Sequence, residues 1–134
     1  MVNGSPESDE STKGCVLIVD DEVIVRKYLT KVIAGMDYKV IACENGAEGV
    51  AAFEQHHQEI GLVMLDMVMP KMDGHTAFLE LRKISPDVPV VVASGYAVDD
   101  MIDDCMALGA VEFLRKPFDI EDLRRAIRTH VRSN

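Results

Sequence analysis

From Cys15 onward the chain alternates short apolar runs with segments of helical period about five times, and that alternation leaves few folds open to it. The runs are Cys15–Val19 and residues 38–42, 62–65, 88–93 and 111–114. Each has the length of a strand. Most are too continuously apolar for a sheet wetted on one side, and they suit strands covered on both faces. Between them Val25, Tyr28, Leu29, Val32 and Ile33 fall on one helical stripe, and Val98, Met101, Ile102, Cys105 and Met106 repeat its spacing. Ala77, Leu81 and Ile84 form a shorter stripe, as do Ile120, Leu123 and Ile127. The segment 46–57 is weaker, but Asn45 with Glu48 three residues on forms a capping pair. Gly35 and Gly109 close the helices before them, and Asp119 caps the last one. The pattern predicts an α/β fold, a doubly wound parallel sheet with helices on both faces.

Composition narrows the function. The 134 residues hold one domain of ordinary size. With 48% hydrophobic residues the chain can build a core. Its net charge of −9 repels phosphate backbones, so direct nucleic-acid binding by this domain is not expected. No apolar run approaches the roughly 18 residues of a membrane helix, and the polar, acidic N-terminus has no signal-peptide pattern. Cys15, Cys43 and Cys105 match neither a disulfide framework nor a zinc spacing. Residues 1–13 carry almost no apolar side chains and are expected to form a flexible acidic tail, with the folded domain over 14–132. The expectation is a cytoplasmic domain without a membrane anchor.

In doubly wound sheets the ligand crevice lies outside the carboxyl ends of the strands, so the residues just beyond each apolar run matter most. Asp20 and Asp21 follow the first, Asp66 the third, Ser94 the fourth, and Lys116 with Pro117 comes just beyond the fifth. Three carboxylates, a hydroxyl and an ammonium would then share one rim. Two like charges at ~4 Å and an effective dielectric of ~20 repel by about 4 kcal/mol. A hard divalent cation, the lysine, or proton uptake must offset that. Oxygen-only ligands favour Mg²⁺ over zinc or copper. A metal beside a carboxylate, a lysine and a hydroxyl can hold a phosphoryl group while a carboxylate attacks phosphorus. Taken singly, each residue has an ordinary explanation: Asp21 as a helix cap, Ser94 as a turn hydroxyl, Lys116 as a solvated charge. Four strand ends carrying matched chemistry are not explained that way.

With these pieces in place the sequence resembles the receiver domain of bacterial two-component response regulators, from about Gly14 to Val131. The resemblance rests on Asp20-Asp21, on Asp66-Met67-Val68-Met69-Pro70-Lys71-Met72-Asp73-Gly74, on Ser94-Gly95 and on Lys116-Pro117-Phe118. It implies a flavodoxin-like (βα)5 fold with strand order 2-1-3-4-5. It implies that Asp66 is the phosphoacceptor, phosphorylated by a histidine kinase or histidine phosphotransfer protein. Mg²⁺, or Mn²⁺ in its place, would be held by Asp21, Asp66 and the backbone carbonyl of Val68, with Asp20 close by or acting through water. Lys116 would hold a phosphoryl oxygen, across a Lys116–Pro117 bond expected to be cis. Ser94 would donate to the phosphoryl group, small Gly95 would leave the approach open, and Phe113 would be the switch aromatic that follows Ser94. Output would pass through the face built from residues 98–109, 111–114 and 120–131, to an output domain or a partner protein. Such a domain is a signalling module rather than an enzyme, catalysing only its own phosphorylation and dephosphorylation.

Two other classes share part of this chemistry. A phosphohydrolase of the haloacid dehalogenase type also uses an Asp after a strand with Mg²⁺, but it needs an acid two residues on, where this chain has Val68. A pseudo-receiver would lack some of the chemical groups, and here all are present. Val68 and Tyr96 flank the expected path of a hydrolytic water, and neither offers a carboxylate or amide to orient it. Other features have plain structural explanations: Asp73 as a loop or cap residue, and Met64, Met67, Met69 and Met72 as core packing. Cys105 sits on an apolar stripe, His56 and His57 suit a helix end, and Arg124, Arg125, Arg128 and Arg132 form a solvated face of which part contacts a partner.

Overall fold

The structure is a computed structural model and describes residues 13–95 and 99–132. Five strands and five helices alternate along it: β1 (Cys15–Val19), α1 (Val23–Ala34), β2 (Lys39–Cys43), α2 (Gly46–His56), β3 (Ile60–Asp66), α3 (Gly74–Ile84), β4 (Val90–Ser94), α4 (Asp99–Ala107), β5 (Glu112–Arg115) and α5 (Ile120–His130). The strands form one parallel sheet in the order β2-β1-β3-β4-β5. Among the described residues no helix is long and apolar enough to cross a membrane.

Successive strand residues point to opposite faces, so each strand feeds two cores. On one face Leu17, Val19, Val63, Leu65, Val90 and Val92 pack with Phe53 of α2, Ala77, Phe78 and Leu81 of α3, and Ile102 and Cys105 of α4. On the other, Val16, Ile18, Leu62, Met64, Val91 and Leu114 pack with Leu29 and Ile33 of α1 and Leu123, Ala126 and Ile127 of α5. This double coverage explains why β1, β3 and β4 are buried along their whole length.

The helix ends follow the expected chemistry at three places. Asn45 accepts the Glu48 N–H (2.8 Å), Asp73 the Thr76 N–H (2.8 Å) and Asp119 the Glu121 N–H (2.8 Å). Gly109 adopts the left-handed φ of +103° after α4, but Gly35 stays right-handed at −66°, and Asp37 takes the left-handed position two residues on. The stripes are narrower than their spacing suggested: Tyr28, Met106 and Ile120 are exposed.

Four strands also run one residue further toward their carboxyl ends than apolar content predicts. Asp66 and Ser94 are the last residues of β3 and β4, not the first of their loops. A polar side chain does not end a strand while its backbone still has a neighbour to pair with: Asp66 is in register with Ala93, and Ser94 with Arg115. Lys13, expected in the tail, donates its N–H to the Asp37 carbonyl (2.7 Å). The rest of that tail, with Tyr96 and Val98, lies outside the described residues.

Candidate functional site

The carboxyl ends of β1, β3, β4 and β5 bring the predicted polar residues to one rim, and backbone hydrogen bonds hold those ends in place. The Asp20 N–H bonds the Cys43 carbonyl (3.1 Å), the Met67 N–H the Ala93 carbonyl (2.9 Å) and the Lys116 N–H the Ser94 carbonyl (3.0 Å). Behind Asp66, the first residue of α3 closes on the strand end. A Cβ on Gly74 would collide with the Asp66 carbonyl oxygen and lie 2.6 Å from Met67 Cα, so only glycine lets the helix approach this near. The Lys116–Pro117 peptide is cis.

Asp20 is 2% exposed and Asp66 4%, while Asp21 is exposed. One oxygen from each of the three lies within 4.8 Å of the others. Lys116 Nζ stands 2.8 Å from Asp20 Oδ2 and 3.4 Å from Asp66 Oδ2. The cluster is electrostatically unsatisfied even so. Burial, together with the charge of Asp20, pushes the Asp66 carboxyl up to about 7, and the Lys116 ammonium and the Val68 N–H (3.3 Å from Asp66 Oδ1) pull against that only in part. Burial likewise raises Asp20. Burial on its own would lower the Lys116 ammonium, but hydrogen bonds to Asp20 and Glu22 outweigh it and raise the group. A buried carboxylate pair with one shared cation and an exposed third carboxylate is a donor set suited to a hard divalent cation.

Ser94 is fully buried at the end of β4. Phe113 is half-buried on the α4 side of β5, with the Arg115 guanidinium 5.7 Å from its ring centre. Val68 is 38% exposed and lines the mouth. A methyl on Gly95 would rest 3.5 Å from Lys116 Cβ, an ordinary contact, so the space itself does not demand glycine there. Asp21 does not cap the first helix. Glu22 occupies that position without a side-chain cap, and its N–H bonds Asp20 Oδ1 (2.9 Å).

Three features escaped the sequence reading. Glu22 Oε1 lies 2.8 Å from Lys116 Nζ, a contact hinted at only by a third acid directly after Asp20-Asp21. Arg26 Nη1 donates to the Asp20 carbonyl (2.8 Å), fixing the turn behind the cluster. A cleft of about 860 Å³ runs from Asp66 and Lys116 across Ile24, Val25, Tyr28, Pro117 and Phe118. It gives the polar site an apolar shoulder on which Ile24 is 80% exposed. Core packing accounts for Met64, Met67, Met69 and Cys105, all buried, and for Met72, half-buried against the same core. The basic cluster of α5 and the residues just after it is partly paired within the chain, Arg124 with Glu121, Arg125 with Glu112, and Arg132 with Asp87.

The response regulator receiver domain model matches residues 16–128. The chemotaxis protein CheY of Bacillus subtilis (strain 168) is 33% identical over 113 residues, 84% of this chain and 92% of CheY. The sensor kinase CckA of Brucella abortus (strain 2308) is 35% identical over 121 residues, 90% of this chain, which spans only 13% of CckA. Among solved structures, a chain of the CheX–CheY–BeF3–Mg²⁺ complex from Borrelia burgdorferi superposes with a TM-score of 0.82 at 31% identity, covering 94% of this chain and 96% of that one.

Proposed function

The chain belongs to the response regulator receiver domain family and is a phosphoacceptor signalling domain, and from that premise we propose that Asp66 is the residue phosphorylated. The observation that carries the assignment is the Asp66 carboxylate itself. It is buried at the end of β3, with Lys116 3.4 Å away and oxygens of Asp20 and Asp21 beside it. Its Oδ atom attacks phosphorus of a donor phosphohistidine. The O–P bond forms as the P–N bond breaks, and the imidazole nitrogen keeps the electron pair of that bond. The acyl phosphate is the product.

Mg²⁺, with Mn²⁺ as the alternative, would be held by Asp21, Asp66 and the Val68 backbone carbonyl, with Asp20 close by or through water. When bound, it would supply positive charge against the carboxylates and the phosphoryl oxygens. Lys116 takes a phosphoryl oxygen, and Ser94 donates its hydroxyl to the phosphoryl group. As Ser94 moves inward, Phe113 turns into the space behind it, which alters the face formed by α4, β5 and α5. An output domain or partner protein reads that face. The donor is a histidine kinase or a histidine phosphotransfer protein, which lays its histidine over Asp66 against the apolar shoulder of exposed Ile24 and Tyr28 and half-buried Phe118. The folded unit is residues 14–132, working in the cytoplasm, and the only reactions it catalyses are the gain and loss of its own phosphoryl group.

Acetyl phosphate with Mg²⁺ tests this directly. One phosphoryl group per chain is expected in the wild type, and loss of stable labelling in Asp66→Asn. Full labelling of that variant would place the nucleophile elsewhere.

A further inference from the structure

An ammonium has three N–H donors. Lys116 hydrogen-bonds Asp20 and Glu22, each at 2.8 Å, and stands 3.4 Å from Asp66 as a charge contact. These partners are not equivalent. Asp20 and Asp66 are buried and pinned by strand hydrogen bonds, whereas the Glu22 side chain is 59% exposed at the edge of the cleft. Glu22 also stands at the position where a short polar side chain would cap α1, yet it makes no cap bond, and the first turn holds no other acid. Its carboxylate is committed to Lys116 instead. A phosphoryl oxygen arriving at Asp66 draws Lys116 toward it, and of the two hydrogen-bonded carboxylates the solvent-facing Glu22 arm is the one that can leave without disturbing the buried rim.

We propose that Glu22 is a positioning residue, the exchangeable partner of Lys116, which occupies one of the ammonium's donors at rest and yields it to a phosphoryl oxygen. This rests on the reading of Asp66 as phosphoacceptor. It makes the unphosphorylated state self-satisfied at Lys116 and sets a small threshold against occupancy of the site.

Two substitutions separate this role from simple charge repulsion. Glu22→Gln removes the charge and weakens the hold on Lys116. Glu22→Asp keeps the charge, but aspartate at this position turns back to accept an N–H of its own helix, which draws the carboxylate off Lys116. The readout is affinity for beryllofluoride in saturating Mg²⁺, with Mg²⁺ affinity measured separately. Both variants are expected to bind beryllofluoride about two- to fivefold more tightly than wild type, the scale of an exposed ion pair. Mg²⁺ affinity of Glu22→Asp is expected to stay at the wild-type value. Tightening in Glu22→Gln alone would mean bulk repulsion and overturn the proposal. Unchanged or weakened binding in both would make Glu22 a bystander or a support of Lys116, and overturns it too. Wild type that binds no beryllofluoride would instead remove the reading of Asp66 beneath it.

Discussion

At the amino ends of the strands one guanidinium serves four carbonyls; at the carboxyl ends one ammonium serves three carboxylates. Arg82, near the end of α3, donates to the carbonyls of Val88 (2.8 Å), Gly109 (3.1 Å), Ser85 (3.4 Å) and Leu108 (3.5 Å), and its guanidinium lies 4.8 Å from the centre of the Phe78 ring. It ties α3, the loop leading into β4 and the turn leading into β5 into one joint. Nearby, Glu112 pairs with Arg125 and His130. Helices in this fold run opposite to the strands, so their negative C-terminal ends gather here and their positive N-terminal ends gather at the site. The same dipoles thus sort cations to one end and anions to the other. They leave the first end with matched partners and the second with more carboxylates than one lysine neutralises. Where charges are matched the fold gains stability, and where they are not the chain keeps a place for a ligand.

The largest effect is expected at Arg82. Methionine there keeps much of the aliphatic stem but leaves the carbonyls unpaired, a loss of about 3 kcal/mol for hydrogen bonds to a charged group. Melting should fall by roughly 10 °C, while Asp66 labelling per folded molecule stays as in wild type. An unchanged melting temperature would mean that water satisfies those carbonyls and that the joint is ornamental. Mg²⁺ acts at the other end with the opposite sign. At a concentration 100 times its dissociation constant it should stabilise the domain by roughly 2.7 kcal/mol, and Asp21→Asn should reduce that gain. Melting with Mg²⁺ and with chelator measures both.

Asp66→Asn should do the opposite of Arg82→Met, because a substitution in the site should raise stability. The Asp66 carboxyl is pushed from an ordinary 3.8 to about 7 by burial and by Asp20. Between those values the folded state holds a proton that the unfolded chain has released, so stability falls as pH rises through this window and levels off above it. In chelator, the domain should therefore be more stable at pH 5 than at pH 8. Asp66→Asn should gain about 2 kcal/mol at pH 8 and lose most of this slope, and Mg²⁺ should flatten the wild-type slope as well. A wild-type stability that rises from pH 5 to pH 8 in chelator would refute the unsatisfied cluster.

These two ends also differ in how far the sequence discloses them. Asp20, Asp21, Asp66, Ser94 and Lys116 were legible because a doubly wound sheet gathers the residues at its strand ends onto one rim, so that a position just after an apolar run is also a position in space. Strand order entered through the family resemblance rather than through periodicity. The Arg82 joint was not legible, since its partners are backbone carbonyls and carbonyls belong to every residue type. Glu22 was half visible: it sits beside the acidic pair, but nothing in the pattern says that its carboxylate turns to Lys116 rather than to its own helix. Boundaries slipped where a polar residue, such as Asp66 or Ser94, remains in a strand because its backbone is still paired.

The smallest effect is expected at the lip of the site. Loss of the phosphoryl group needs a water in line with the Asp66–phosphorus bond, on the side away from the carboxylate oxygen. Val68 stands at that mouth, 38% exposed, and its side chain offers such a water no hydrogen bond, while its N–H is already turned to Asp66 (3.3 Å). An amide at this position would keep the backbone contact and add one group able to hold the water in attack geometry. A single such hydrogen bond is worth about 1 kcal/mol, and each ~1.4 kcal/mol is tenfold in rate. Val68→Asn should therefore shorten the phosphoryl lifetime by about fivefold, with the melting temperature unchanged. The measurement is first-order decay of the phosphorylated domain in Mg²⁺, with Arg82→Met as the control from the far end, where decay should match wild type. Equal decay in Val68→Asn and wild type would mean that the side chain at this lip does not shield the acyl phosphate. Faster decay in Arg82→Met would mean that the two ends are coupled, and that the satisfied end of the sheet holds the reactive end in shape.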